Sequence, residues 1–146
     1  MKNHILTLLY IFILGFTGCT GNSQSNDQGI ENGVNIVQVI NFHSNYRCVT
    51  CNAIEKQSRE TIENNFKDEL GEGTLIFKTV NVTEKTNYKL AEEFEASGTA
   101  LFIHILVDGQ SEKVNLTQFA FMNARSDDGA FEKRLVGEIQ KALKKL

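Results

Sequence analysis

The chain has 146 residues, 41% of them hydrophobic and 23% charged, with 15 Lys and Arg against 18 Asp and Glu. That length suits one ordinary domain. A net charge of −3 without a basic stripe excludes a nucleic-acid-binding surface of the usual kind. Apolar residues in periodic blocks exclude low-complexity disorder, and the chain holds no proline and no tryptophan.

Lys2 precedes the apolar run Ile5–Phe16, which ends in Thr17-Gly18-Cys19. The pattern predicts a secretory signal peptide over residues 1–18. Its run of 12 residues falls short of the roughly 20 that span a bilayer. Phe16-Thr17-Gly18-Cys19 resembles the lipobox of bacterial lipoproteins, with Phe16 where Leu is usual. The resemblance implies that Cys19 becomes a lipidated N-terminus anchored in the bacterial cell envelope, on the periplasmic or outer-surface side. Residues 19–33 are polar and rich in Gly, Ser and Asn, which predicts a flexible tether ahead of a domain over 34–146. With Cys19 lipidated, Cys48 and Cys51 remain as an isolated C-x-x-C pair in an oxidising compartment. That spacing is too short to staple distant segments and suits redox chemistry.

Asn35–Phe42 is β-branched and apolar and predicts a buried strand. The cysteine loop follows, then a helix to Leu70 with Ile54, Ile62, Phe66 and Leu70 on one face and Gly71 as its C-cap. Leu75–Val82 predicts a second strand, and Asn87–Glu95 a short helix stopped by Gly98. The nearly continuous apolar run Ala100–Val107 predicts a central strand buried on both faces. Asp108-Gly109 then turns into a strand near Lys113–Leu116. Asp127 and Asp128 open a last helix to Leu146, with Phe131, Leu135, Ile139 and Leu143 spaced by four and Lys141, Lys144 and Lys145 at its basic end.

The order β-α-β-α-β-β-α, with C-x-x-C where the first strand meets the first helix, resembles the thioredoxin-like fold over residues 34–146. That resemblance implies a central mixed sheet flanked by helices. The chemistry of the pair follows from its position. Unpaired N–H groups and the macrodipole at a helix start stabilise a thiolate, and the thiolate is the attacking species. Arg47 adds a positive charge beside Cys48, while Cys51 lies one turn deeper on the same side. Cys48 is therefore the candidate nucleophile and Cys51 the resolving thiol, with Val49-Thr50 between them. In the thioredoxin group that middle dipeptide tunes the redox potential, so Thr50 is a candidate modulator. Two departures stand out. The family's cis-proline has no counterpart, so Thr99 or Ala100 takes its place. The family's buried acid is matched only by Asn41 and Phe42, which cannot take a proton from Cys51. Both departures point to a dedicated protein redox partner.

The segment 41–56 also resembles the bacterial family of nitrophenyl compound nitroreductase subunits, the ArsF family, through Phe42, His43, Cys48, Thr50, Cys51, Ala53, Ile54 and Glu55. The resemblance implies an association with redox or arsenic-handling systems. No glycine fingerprint follows a strand, so the predicted cofactor is the disulfide itself. His43 is a candidate pKa modulator or a third soft-metal ligand. Tyr46 and Phe42 are expected to wall the motif, with an aromatic lip for a partner as the other reading. His104 reads as a hydrogen-bonded core histidine, and Phe119, Phe121 and Met122 as core. The sequons at Asn81 and Asn115 are accidental in a bacterial lipoprotein. Three functions stay open: a thiol–disulfide oxidoreductase; a module in which Cys48, Cys51 and His43 bind arsenite or a soft metal; and a scaffold lipoprotein that docks a partner.

Overall fold

A computed structural model describes residues 33–126 and 129–146. The expected signal segment, Cys19, nearly all of the tether, and Asp127 and Asp128 lie outside the described residues.

The elements are β1 (Ile36–His43), α1 (Val49–Asn65), α2 (Lys67–Glu72), β2 (Leu75–Asn81), a 3-10 turn at Lys85–Asn87, α3 (Tyr88–Glu93), β3 (Ala100–Val107), β4 (Gln110–Asn115), α4 (Thr117–Asn123) and α5 (Ala130–Leu143). The four strands form one mixed sheet in the order β2-β1-β3-β4. β1 runs parallel to β2 and antiparallel to β3, and β4 closes the far edge antiparallel to β3. With helices on both faces, this is the thioredoxin-like arrangement expected from the order of elements.

Alternation along the strands divides the core. Val37, Val39, Leu101, Ile103 and Ile105 pack with Ile54 and Ile62 of α1, Ala120 of α4 and Leu135 and Ile139 of α5. Ile40, Phe42, Ala100 and Phe102 face the other way and pack with Val80, Leu90, Phe94 and Ala96. β3 lies between β1 and β4 and is buried on both faces through Ile105, as its apolar run predicts. Asp108 and Gly109 both take positive φ, 50° and 76°. This is the conformation that a two-residue turn needs to match strand twist. The tight turn sets Val107 opposite Gln110, so β4 begins three residues before the expected Lys113.

Three expectations need correction. The helix predicted to run to Leu70 breaks at Phe66, whose backbone leaves the helical region at φ −134° and ψ 43°. The residue is 2% exposed, so core burial holds Phe66 in place while Asn64 and Asn65 do little to support a continuous helix. Gly71 consequently lies inside α2, and Gly73 takes the left-handed C-cap at φ 77°. Phe119, Phe121 and Met122, read as core before the last helix, belong to a further helix, α4. Only Phe119 of the three large side chains packs on the core. Phe121 and Met122 are 42% and 73% exposed.

Candidate functional site

The C-terminal end of β1 delivers a short loop, Ser44–Arg47, to the start of α1. Several side chains shape it. Ser44 Oγ donates to the Tyr46 carbonyl at 2.8 Å, and His43 Nδ1 lies 3.2 Å from the Ser44 carbonyl oxygen. The Val82 N–H donates to the His43 carbonyl at 2.8 Å. Across from the loop, Asn81 at the end of β2 donates from Nδ2 to Asn45 Oδ1 at 2.8 Å. Its own Oδ1 accepts from the Thr83 N–H and hydroxyl. Asn81 thus links the cysteine loop to the β2–α3 connection. The sequence showed it only as part of a sequon, and its place beside the loop follows from the register that pairs His43 with Asn81.

Cys48 is the N-cap of α1, with extended backbone at φ −77° and ψ 166°, and its Sγ accepts the Cys51 N–H at 3.0 Å. The two cysteines form a disulfide with their Cα atoms 5.0 Å apart. Cys48 is exposed, whereas Cys51 is only 8% exposed. One sulfur therefore meets solvent at a helix N-terminus while its partner points toward the core. The oxidised pair is closed, the outer sulfur is open to attack, and a sulfur released there inherits a helix N–H.

The flanking residues divide. Tyr46 is 93% exposed and Val49 71% exposed, so Tyr46 projects away from the motif instead of walling it. Phe42 is fully buried in the second core cluster, 5.4 Å from Phe94 between ring centres. Thr50 is half-buried. Ala100 is buried and lies opposite Phe42 in the β1–β3 register. No described peptide bond is cis.

Arg47 reaches along α1. Its guanidinium forms an ion pair with Glu55, whose other oxygen lies 3.4 Å from Arg59. Arg59 sits 4.9 Å above the Phe77 ring. Burial pushes the Glu55 carboxyl upward, but the hydrogen bonds and charges of Arg47 and Arg59 outweigh it and hold the group below its ordinary value. Arg47 Nε is buried and has no partner among the described residues. The pairing of Arg47 with Glu55 was not visible in the sequence, because Arg47 precedes the helix and follows no helical period.

Asn41 is fully buried on the strand face that carries Val37 and Val39, and both of its amide atoms lack partners among the described residues. His104 lies away from the cysteines. It is buried, its Nε2 is 2.8 Å from Ser111 Oγ, and its ring lies at right angles to that of Phe94, 5.1 Å between centres. Among the described residues no group of three or more His, Cys, Asp and Glu could hold a metal ion, so His43, Cys48 and Cys51 are not brought together as one. No described helix is long and apolar enough to cross a membrane.

No protein-family model matches the chain, and no curated protein matches it significantly. The likeness to the ArsF family therefore stands on residues 42–55 alone. Solved structures similar to it include a malarial protein, at 15% identity and TM-score 0.47, covering 75% of this chain and 99% of that one. A thioredoxin from Thermus thermophilus is similar at 18% identity and TM-score 0.47, covering 73% of this chain and 76% of its own. The fold assignment rests on this chain's own strand order and register.

Proposed function

We propose that the protein is a membrane-tethered thiol–disulfide oxidoreductase that passes electrons through Cys48 and Cys51 to a dedicated protein partner. The observation that carries this reading is the disulfide at the N-cap of α1, with Cys48 exposed and Cys51 buried. In the reduced protein the Cys48 thiolate attacks one sulfur of a partner disulfide. That S–S bond breaks, one partner sulfur leaves as a thiolate, and a mixed disulfide forms. The Cys51 thiolate then attacks Cys48 Sγ, which releases the second partner sulfur and closes the Cys48–Cys51 bond. Two electrons pass to the partner, and the two protons lost by the cysteines balance the two its thiols take up. A dithiol donor in the same compartment restores the pair.

The tether belongs to the same reading: a lipid on Cys19 holds the domain at the cell envelope, and residues 20–33 give it reach. On the likeness of residues 42–55 to the ArsF family, the partner is a component of a reductase system. Alkylation of free thiols before and after dithiothreitol tests the redox claim, with Cys48→Ser and Cys51→Ser as controls. The expected result is a pair that cycles, with Cys51→Ser accumulating a mixed disulfide. A pair that stays reduced in every glutathione buffer, or a disulfide that no reductant opens, overturns it. Cys19→Ser is expected to move the protein out of the membrane fraction, and a variant that stays there refutes the anchor.

A further inference from the structure

Cys48, Asn52, Glu55 and Arg59 follow one another at helical intervals of four, three and four, so the exposed sulfur and the Glu55 carboxylate share one stripe of α1. Arg47 immediately precedes the sulfur, yet its guanidinium lies along this stripe on Glu55. The Cys48 sulfur takes its hydrogen bond from the Cys51 N–H. The cation nearest in sequence to the nucleophile is thus bound to a carboxylate two turns into the helix.

We propose that Glu55 is a positioning residue that sets the proton affinity of Cys48 by holding the Arg47 guanidinium on itself and off the sulfur. This deepens the oxidoreductase reading and rests on it. In the reduced protein Arg47 has two anionic partners to choose from, the Cys48 thiolate and the Glu55 carboxylate. While Glu55 holds it, the thiolate keeps the helix N–H but not the full benefit of the adjacent charge. The other charged groups on this flank are Arg59, which shares Glu55, the exposed pair Lys56–Glu60 at 3.8 Å, and Glu63, which lies 3.9 Å from Arg59. His43 at the end of β1 and Tyr46 in the loop are the titratable groups that precede the helix. β2 supplies the Phe77 ring beneath Arg59. Arg59 stays on Glu55 from the far side, so the carboxylate remains fixed whichever way Arg47 turns.

The test titrates the Cys48 thiolate in the reduced full chain, by ultraviolet thiolate absorbance and by the pH profile of alkylation. Glu55→Gln removes a nearby anion and frees Arg47, and both changes favour the thiolate. The Cys48 pKa is expected to fall by about one unit, since an opposite charge at contact distance shifts a pKa by about one to three. Arg47→Gln is expected to raise it, by removing the adjacent cation and leaving the Glu55 carboxylate countered only by Arg59 from the far side. The double variant Arg47→Gln/Glu55→Gln is expected to return close to the parent value. Glu112→Gln, an equal loss of charge from a remote pair with Lys145, is expected to leave the titration unchanged. An unshifted Glu55→Gln overturns the proposal. So does a double variant lowered as far as Glu55→Gln alone, because Glu55 would then act by its own charge and not through Arg47. A merely structural role for Glu55 would not reverse in the double variant. These titrations need no disulfide cycling, so a pair that fails to cycle defeats the oxidoreductase reading while the Glu55 result still stands or falls by itself.

Discussion

The two faces of the sheet are built on different plans. On the face covered by α1, α4 and α5, the core is mainly aliphatic, from Val37 at the foot of β1 to Ile54 in α1 and Ile139 in α5, with Phe66 and Phe131 as its two buried rings. The opposite face is covered by a 3-10 turn and a six-residue helix. It closes over three aromatic rings, with Phe94 at 5.4 Å from Phe42 and 5.2 Å from Phe102. Two long helices bury enough surface with mainly aliphatic side chains and two scattered rings. A single short helix cannot, so its face relies on residues that each bury roughly 150–250 Å² and gain further from edge-to-face contact. The cysteine pair belongs to the broad face. Its outer sulfur stands on a helix with a deep foundation, while the narrow face holds the end of β1 from below.

The largest expected effect comes from breaking the narrow face. Phe42→Ala removes a fully buried ring that touches both Phe94 and Phe102. With few neighbours able to collapse into the gap, the loss is expected at about 3–5 kcal/mol. Denaturant unfolding measures it. A cost below about 1.5 kcal/mol, in the range of a volume-conserving swap, would mean that the aromatic cluster contributes little and that the contrast between the faces is wrong.

The broad face contains buried polar residues that its aliphatic plan does not explain, Ser58 of α1 and Asn41 of β1 among them. Asn41 has both amide atoms buried and unpartnered among the described residues, which is costly for a polar group. Asn41→Leu, similar in volume, is expected to raise stability by about 1–2 kcal/mol. A destabilised variant would show that the amide has hydrogen-bonding partners, buried water among them.

Asn81 sits where the cysteine loop meets the β2–α3 connection. Asn81→Ala removes the bond to Asn45 and the two accepted from Thr83. An exposed network of this kind is expected to contribute about 1 kcal/mol. Hydrogen exchange is expected to speed up at residues 44–47 and not in β3. Uniform acceleration across the sheet would assign Asn81 to global stability instead of loop positioning.

What could be read from the sequence follows the same division. Short-range periodicity exposed the broad face: the fours of Phe131, Leu135 and Ile139, the apolar run of β3, the Asp108-Gly109 turn, and the cysteine pair at a strand-to-helix junction. The features that escaped depend on contacts between residues distant in sequence. The break at Phe66 comes from core burial overriding helical continuity. α4 lacks a strong stripe, because Leu116, Ala120 and Ala124 are its inward positions and two of them are small. The Arg47–Glu55 pair and the Asn81–Asn45 bond span 8 and 36 residues, outside the three- and four-residue spacing that a helical reading tests.

The smallest effect belongs to the rim of the narrow face, where His104 meets Phe94 and Ser111. Burial lowers the proton affinity of His104 below its ordinary value of 6.5; the Glu93 charge opposes this, and Lys113 and Lys78 add to it. The unfolded chain therefore binds this proton more readily than the folded one. Stability from the neutral ring is fully present above pH 6.5 and is lost as pH falls below it toward the lowered folded value. Glu55 has the same sign in a separate window, because its lowered carboxyl contributes stability above its ordinary 4.5 and loses it further into acid. Unfolding free energies measured across both windows are expected to show two shallow declines. His104→Gln is expected to remove the upper decline and Glu55→Gln the lower. If His104→Gln keeps the upper slope, the neutral buried histidine is not its source, and the rim of the aromatic face does not set the pH dependence in that window.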